Sequence, residues 1–180
     1  MNTPSERIIA LWYYSHEEHH NTSFWTITLE TARLRTSPIP DKGIMAVRID
    51  PTARYLKTHE WARRDGDEIV CGISDHAQAA MNDLVYVELP RVGATYEAGQ
   101  AFAVVESVKA ASDVYMPVGG TIMAVNTLLE RAPDTINRDP YQAGWIARIK
   151  PNNPDDFETL MDAEAYAQFL KEEAEEELDN

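Results

Sequence analysis

The sequence predicts a β-rich α+β fold, in which a small β-sandwich or barrel is followed by C-terminal capping helices. From Tyr55 onward, short apolar segments alternate with glycine, proline and aspartate, a pattern that is typical of strands joined by tight turns. A faint repeat places Val-Tyr, followed by proline and glycine, at residues 85–93 and again at 114–120. This repeat indicates two similar half-sheets packed face to face as a flattened barrel. After residue 150 the apolar residues take the spacing of amphipathic helices.

Composition and charge limit the classes of function. Of 180 residues, 44% are hydrophobic and 26% are charged, and the formal net charge is −14, which describes one soluble domain plus tails. Residues 150–180 carry 2 basic and 11 acidic groups, whereas residues 45–149 carry 10 and 14. A negative field without a lysine or arginine cluster repels phosphate backbones and anionic lipid, so nucleic acid and membrane surfaces are excluded as partners. The single cysteine, Cys71, excludes an internal disulfide framework and a multi-cysteine metal site.

The chain divides into three predicted parts. Residues 1–44 show no sustained helical or strand period, so we predict a disordered or non-native extension ahead of one domain at residues 45–171. The acidic residues 172–180 have no apolar face, which predicts a frayed, solvated tail. No metal site is predicted from three histidines in the extension, which lack regular ligand spacing: His16, His19 and His20. Because no spanning apolar run, signal peptide or transit peptide is recognisable, we expect a bacterial cytoplasmic protein rather than one of the mitochondrial matrix.

The first predicted element is a β-hairpin formed by residues 61–64 and 68–73 around the turn at Gly66, where glycine tolerates positive φ. Alternation along the second strand places Cys71 on the apolar face, so we interpret Cys71 as a small core side chain and not as a nucleophile. A short helix follows, with Asp75 as its predicted N-cap.

Further strands and helical turns follow along the chain. Strands are predicted at residues 84–89, 101–108, 114–116, 121–125 and 145–149, with short helical turns between 127 and 140. Two amphipathic helices are predicted after residue 150, because two sets of apolar residues have i, i+3, i+4 spacing: Phe157, Leu160 and Met161, then Tyr166, Phe169 and Leu170. These helices are expected to cap the β core.

Lys109 lies where the chain reverses between two predicted strands. An apolar strand leads into the segment Glu-Ser-Val-Lys-Ala-Ala-Ser-Asp at residues 106–113, and Val114 restarts the strand pattern. An arbitrary surface lysine is ordinarily a solubilising residue. A lysine at the tip of a hairpin in a symmetric β domain, however, is the geometry of swinging-arm carriers, in which a prosthetic group acylates the amine. Lys109 is therefore the candidate functional residue.

Six motifs, in the same order along the chain, resemble those of the glycine cleavage H-protein family. They are His-Glu-Trp at 59–61, Gly-Ile-Ser-Asp-His-Ala-Gln at 72–78, Val-Tyr-Val-Glu-Leu-Pro at 85–90, the lysine segment at 106–113, Asn-Arg-Asp-Pro-Tyr at 137–141 and Gly-Trp at 144–145. The segment Met-Asn-Asp at 81–83 departs from the Leu-Gly-Asp or Leu-Gly-Glu of the family. Asparagine tolerates positive φ next best after glycine, so we expect that turn to survive. Residues 1–44 have no counterpart in the family.

The resemblance implies a lipoyl carrier with the barrel-sandwich hybrid fold, the hammerhead of lipoyl and biotinyl carriers. Lys109 matches the lysine to which the family attaches lipoate. Such a carrier has no catalytic residues and is expected to be a monomer that serves three enzymes of glycine catabolism and one-carbon metabolism. A pyridoxal-phosphate glycine decarboxylase loads the aminomethyl group, an aminomethyltransferase passes the one-carbon unit to tetrahydrofolate, and a flavin dihydrolipoyl dehydrogenase reoxidises the dithiol with NAD. The carrier contributes proximity.

The family match also implies roles for five further residues. Glu106 and Gly120 match positions that the lipoylating enzymes, a lipoyl or octanoyl transferase and lipoyl synthase, recognise. Thr58, Glu60 and Asp113 match polar residues of a cleft into which the loaded arm folds. Carboxylates suit an ammonium group in a partly dry cleft. We therefore expect Glu60 and Asp113 to matter to the loaded state and not to the fold.

Three alternative functions are compared with the glycine cleavage carrier. A thiol enzyme built on Cys71 and His76 is disfavoured, because five residues across a strand and a helix cap rarely bring these groups together. A biotin carrier has a methionine on each side of the lysine, where this chain has Val108 and Ala110. A relay that donates lipoate to 2-oxoacid dehydrogenase complexes requires the same lysine, so the sequence leaves that alternative open beside glycine cleavage.

Overall fold

The computed structural model describes residues 47–178, which contain two β-sheets, three α-helices and two 3-10 helices. The strands are β1 (Arg54–Tyr55), β2 (Glu60–Asp65), β3 (Glu68–Ile73), β4 (Leu84–Glu88), β5 (Thr95–Tyr96), β6 (Ala101–Ser107), β7 (Ala111–Tyr115), β8 (Gly120–Val125) and β9 (Ala147–Pro151). The α-helices are α1 (Asp75–Met81), α2 (Thr135–Arg138) and α3 (Ala163–Leu178), and the 3-10 helices span Thr127–Glu130 and Pro154–Thr159. The β-rich α+β prediction is confirmed.

The strands form one six-stranded and one three-stranded antiparallel sheet. The larger sheet has the order β1-β2-β3-β9-β8-β5, and the smaller sheet has the order β4-β6-β7. The predicted hairpin between β2 and β3 is present, and Gly66 in its turn has a φ of 63°. The repeat predicted two similar halves, whereas the two sheets differ in size. The reason is that β9 pairs with both β3 and β8 and so joins strands from both halves into one sheet.

Side chains from both sheets meet in one buried apolar cluster. Cys71 belongs to it, and β3 also contributes the two residues that alternate with Cys71, Ile69 and Ile73. Burial raises the pKa of the Cys71 thiol to about 12, so the thiol stays protonated at neutral pH. The interpretation of Cys71 as a core side chain is confirmed.

Trp61 holds the loop that follows α2 against the larger sheet. Its side chain is fully buried, and the indole Nε1 donates a hydrogen bond to the Pro140 carbonyl at 3.0 Å. A Cβ at Gly72 would lie 3.0 Å from the same Nε1, so glycine at that position makes room for the ring. The neighbouring Tyr141 hydroxyl donates to the Arg48 carbonyl at 2.8 Å. The first contact attaches the loop after α2 to the hairpin of β2 and β3. The second attaches the segment around Arg48 to that loop.

Helix α1 is capped by Ser74, one residue before the predicted N-cap. The Ser74 hydroxyl oxygen accepts a hydrogen bond from the Ala77 amide at 3.2 Å. The prediction that Asp75 is the N-cap was wrong, because the Asp75 carboxylate pairs with the Arg48 guanidinium at 2.7 Å. The predicted tolerance of the turn after α1 is confirmed, since Asn82 has a φ of 64°.

The first of the two predicted C-terminal helices was wrong. Residues 154–159 form a 3-10 helix, and Met161 then pairs with Tyr55 as a β-bridge. The Tyr55 amide donates to the Met161 carbonyl at 2.8 Å, and the Met161 amide donates to the Tyr55 carbonyl at 3.1 Å. Because backbone groups that pair with β1 cannot also continue an α-helical ladder, the chain is extended at this point despite its helical apolar spacing.

Helix α3 contains the second predicted helix and continues past it. The Tyr166 ring stacks on Tyr55 with the centroids 4.1 Å apart, which packs α3 against β1. The backbone is helical through Leu178, and residues 172–178 are rich in helix-forming residues. A frayed, solvated end within residues 172–180 stays a prediction. The extension predicted at residues 1–44 lies outside the described residues. No helix within residues 47–178 has both the length and the apolar character that a membrane crossing requires.

Gly120 begins β8 at a point where the neighbouring strand leaves no room for a side chain. An added Cβ would lie 2.4 Å from the Lys150 carbonyl oxygen and 2.7 Å from Ile149 Cγ2. At Gly119, immediately before it, an added Cβ would meet its nearest atom, the Ala98 amide nitrogen, at 3.4 Å. The two glycines therefore form a matched pair for measuring the cost of an added methyl group.

We expect Gly120→Ala to lower the free energy of unfolding by about 1–3 kcal/mol, because the β9 backbone must move to admit the methyl group. Gly119→Ala should change it by less than about 0.5 kcal/mol. Denaturant unfolding followed by tryptophan fluorescence measures both values. An equal loss in the two variants would contradict the assigned contact with β9.

Candidate functional site

Lys109 occupies the second central position of a two-residue turn between β6 and β7. The Ser107 amide donates to the Ala110 carbonyl at 2.8 Å, which closes the turn. Neither central residue, Val108 or Lys109, has a positive φ. The Lys109 side chain is exposed, so this turn presents a primary amine to solvent without backbone strain.

Ser107 fixes the base of this turn through its side chain. The hydroxyl oxygen accepts hydrogen bonds from the Lys109 amide at 3.3 Å and the Ala110 amide at 3.2 Å. The sequence analysis did not single out Ser107, although a serine two residues before a turn residue is a recognisable signal for this arrangement. The backbone beneath the Lys109 side chain is therefore held in place by a neighbour in the same turn.

Apolar side chains lie exposed next to the turn. Val108 is 84% exposed, and Val85 and Tyr86 on the adjacent strand β4 are also exposed. Glu106, the predicted recognition residue, lies opposite Tyr86 across the pair of β4 and β6 and is half-buried. Exposed valine and tyrosine side chains beside a charged group are typical of a contact area for another protein.

Glu60 is buried between the two sheets. Only 2% of the residue is exposed, and its Oε1 accepts a hydrogen bond from the Tyr115 amide on β7 at 2.9 Å. The Thr58 hydroxyl donates to the other carboxylate oxygen. Burial raises the pKa of the Glu60 carboxyl, and these two hydrogen bonds oppose that rise. Glu60 therefore joins the larger sheet to the edge of the hairpin that carries Lys109.

Of the three residues predicted to line a cleft, Thr58 and Glu60 are in contact, whereas Asp113 lies on the neighbouring strand β7. Asp113 is two residues before Tyr115, which is about 7 Å along a strand. Asp113 is exposed, and its contact with a bound arm stays a prediction. Glu60 differs from the expectation, since its buried hydrogen bonds give it a role in the fold as well.

Gly120, the other predicted recognition residue, lies in the larger sheet and not at the turn. It pairs with Tyr96 on β5 and with Pro151 on β9. Packing alone explains why this position requires glycine, because an added Cβ would collide with the backbone of Lys150. Recognition of Gly120 by a lipoylating enzyme stays a prediction.

A pair of histidines lies immediately beside Glu60. His59 has a φ of 72°, and its ring centroid is 4.5 Å from that of His76 on α1. Burial, together with the nearby His76, lowers the pKa of His59 to about 4, so its ring is neutral at pH 7. Sequence reasoning did not predict this pair, although both histidines fall within the motifs at 59–61 and 72–78.

We expect Glu60→Ala to lower the free energy of unfolding by about 1–3 kcal/mol, because the Tyr115 amide would lose its acceptor. Glu60→Gln keeps a carbonyl oxygen for that amide and should lose less. Urea unfolding at neutral pH compares the two variants with the parent. An alanine variant as stable as the parent would show that this carboxylate contributes nothing to the fold.

The pH dependence of the same variants provides a second measurement. Because the folded pKa of Glu60 is raised above its unfolded value, the carboxyl contributes stability that is present below the unfolded pKa and lost as the pH rises through the folded pKa. Glutamine does not titrate, so the parent should gain stability relative to Glu60→Gln as the pH falls into the ordinary glutamate range. A constant difference across that range would contradict the raised pKa.

Known proteins match the region of the chain that holds this site. The family model described as Glycine cleavage H-protein matches residues 53–173. A glycine cleavage system H protein from Thermus thermophilus is 55% identical over 120 residues, which are 67% of this chain and 94% of that protein. A glycine cleavage system H protein from Anaeromyxobacter sp. strain K is 50% identical over 127 residues, which are 71% of this chain and 99% of that protein.

A solved structure agrees with these matches. The crystal structure of a glycine cleavage system H protein from Mycobacterium marinum is similar with a TM-score of 0.62 and 38% sequence identity, over 67% of this chain and 97% of that chain. This similarity confirms the predicted fold class. Because the family model covers most of the chain and nearly all of the part that the structure describes, this chain belongs to the glycine cleavage H-protein family.

Proposed function

We propose that this chain is the lipoyl carrier of a glycine cleavage system and that lipoate is attached to Lys109. The observation that carries the proposal is the exposed Lys109 side chain on a two-residue turn whose base is held by Ser107. Membership of the H-protein family supports it, because Lys109 lies in the matched segment at 106–113. In this proposal the chain has no catalytic residue, and its partner enzymes make and break the bonds.

The residues at the turn fit a covalently attached acyl group. Acylation of Lys109 Nζ removes the positive charge and leaves a neutral amide. Because Lys109 is exposed, the attached acyl group does not require a pocket in the protein. The exposed Val108, Val85 and Tyr86 provide apolar surface close to the modified residue. When attached, lipoate supplies a dithiolane that takes up a one-carbon unit and electrons. The chain keeps the base of that arm fixed while its far end remains accessible.

The contribution of the chain to the reaction sequence is proximity. The proposed partners are a pyridoxal-phosphate glycine decarboxylase, a tetrahydrofolate-dependent aminomethyltransferase and a dihydrolipoyl dehydrogenase, and a lipoyl or octanoyl transferase and lipoyl synthase act on Lys109. A tether on a rigid turn keeps the reacting group attached to the carrier while it visits each enzyme. The reacting group is therefore present at a high effective concentration in each active site. We propose that Glu106 contacts these enzymes, which the exposed side chain of Tyr86 opposite it supports. The bacterial relatives support a bacterial protein that acts in the cytoplasm.

Asp113 is the carboxylate that suits a cationic cargo on the arm. Glu60 already uses one oxygen for the Tyr115 amide and the other for the Thr58 hydroxyl. Asp113 is exposed in the middle of β7, so its carboxylate is available to a protonated amine on the arm that Lys109 would carry. Because the site is open to water, we expect such a contact to stabilise the loaded carrier by no more than about 1 kcal/mol.

We expect chain isolated from its native host to carry a lipoyl or octanoyl amide on Lys109 alone, because that lysine combines exposure with the matched turn. Lys109→Arg should retain the fold and the charge and abolish the modification. Intact-mass and peptide spectra measure the outcome. Lys57→Arg and Lys150→Arg serve as controls that should remain fully modified, and an acyl group on either of those lysines would refute the assignment.

We expect Asp113→Asn to be modified normally but to lose its cargo up to about fivefold faster once loaded, because an exposed ion pair contributes no more than about 1 kcal/mol. Parent and variant are loaded with the decarboxylase and glycine, the enzyme is removed, and ammonia release is followed in buffer. The matched control is Asp83→Asn, an exposed aspartate in the turn before β4. Equal release from all three proteins would show that Asp113 does not contact the cargo.

A further inference from the structure

Three side chains from separate elements converge on the face of the fold where α3 packs. His59 precedes β2, His76 belongs to α1, and Glu173 belongs to α3. One possible ligand atom from each lies within 4.8 Å of the other two, and all three residues are half-buried. The cluster is built from residues far apart along the chain, and it does not include Lys109 or the other residues of the turn.

The separation of these atoms suits a small cation. His59 Nε2 lies 3.6 Å from Glu173 Oε2. Two ligands bound tetrahedrally to Zn²⁺ at about 2.0–2.1 Å are about 3.3 Å apart, so shifts of a few tenths of an ångström would bring these atoms into coordination. The imidazole rings of His59 and His76 are already adjacent, with centroids 4.5 Å apart. The ligand atom of His76 lies within 4.8 Å of the other two, so a third ligand requires a movement of this half-buried side chain toward them.

The orientation of His59 is fixed by hydrogen bonds behind the ring. Its Nδ1 lies 3.0 Å from the hydroxyl of Tyr166, and that hydroxyl lies 2.9 Å from the Ser74 hydroxyl. Tyr166 is fully buried, so its hydroxyl is held at a fixed position. When Nδ1–H donates to Tyr166, the lone pair of Nε2 faces Glu173. A hydrogen bond from the far ring nitrogen is the arrangement that orients histidine ligands in metal sites.

We propose that His59, His76 and Glu173 form a binding site for a divalent transition metal, with Zn²⁺ as the best match. Two imidazoles and one carboxylate are a Zn²⁺ ligand set, whereas Mg²⁺ and Ca²⁺ prefer oxygen ligands. Three protein ligands leave one coordination position for water or another small ligand. A metal at this position links α3 to α1 and to the start of β2.

The metal is expected to stabilise the folded chain, because its ligands converge only in that state. A ligand that binds only the native state raises the free energy of unfolding. Once the ligand concentration exceeds the dissociation constant, this increase grows with the logarithm of the ratio of concentration to dissociation constant. Zn²⁺ should therefore raise the unfolding temperature of the chain, and EDTA should reverse the increase. Mg²⁺ at the same concentration should have no effect.

The test must separate this site from the three histidines near the N-terminus, which are also potential ligands. The full chain is titrated with Zn²⁺ by calorimetry, in the parent and in a triple variant, His16→Asn/His19→Asn/His20→Asn. We expect one site per chain to persist in the triple variant and to disappear when His76→Ala is added. Co²⁺ absorption in the same proteins should show a low-symmetry site only while His76 is present.

Glu173→Gln provides a second arm that leaves the histidines intact. It should weaken Zn²⁺ binding by at least tenfold in the triple variant, because a lost direct ligand costs no less than a lost outer hydrogen bond. The matched control is Glu175→Gln, an exposed residue on the same helix that should leave the affinity unchanged. Circular dichroism and the metal-free unfolding temperature verify that each variant is folded.

Two results would overturn the proposal. One is the loss of all Zn²⁺ binding in the triple variant, which would assign the metal to the N-terminal histidines. The other is equal affinity in Glu173→Gln and Glu175→Gln, which would remove the carboxylate from the site. If His76→Ala is not folded, the comparison of Glu173→Gln with Glu175→Gln decides the question alone.

Discussion

The buried carboxylate of Glu60 sets the constraint on which the site depends. A carboxylate withdrawn from water must be hydrogen-bonded, and its two oxygens are satisfied by the Thr58 hydroxyl and the Tyr115 amide. Those partners lie on opposite sides of the interface between the sheets. The two hydrogen bonds of Glu60 therefore fix the position of β7 relative to β2. They also fix the position of the turn that holds Lys109, because that turn leads directly into β7.

Several residues of the family motifs have structural roles in the fold and do not belong to the candidate site. Trp61 needs Gly72 for space and the Pro140 carbonyl as an acceptor. Asn137 donates to the Asn82 carbonyl and accepts from the Leu84 amide, so it holds the turn between α1 and β4. By contrast, the turn at Lys109 requires little beyond its neighbouring serine. These two motif residues thus hold distant segments of the chain together, whereas the turn at the candidate residue Lys109 depends on contacts within the turn itself.

The sequence could predict the features that depend on neighbouring residues. Glycine and proline punctuation located the longer strands, and the asparagine in place of glycine at position 82 was correctly expected to adopt positive φ. Features that depend on distant residues were missed. Met161 is extended because it pairs with Tyr55. Asp75 is not the helix cap because its carboxylate forms an ion pair with Arg48. Glu60 is buried because β7 packs over it. The meeting of His59 with Glu173 depends on how α3 packs, which no local pattern encodes.

The edges of the two sheets govern how readily the fold could recruit a strand from another molecule. In the larger sheet the edge strands β1 and β5 are only two residues long. In the smaller sheet, the register of β4 is irregular between Leu84 and Tyr86, and β7 bears the exposed Asp113. Short, irregular and charged edges lack the flat row of unpaired backbone groups on which intermolecular β-sheets nucleate. The sheet edges within residues 47–178 therefore give intermolecular aggregation little template for growth.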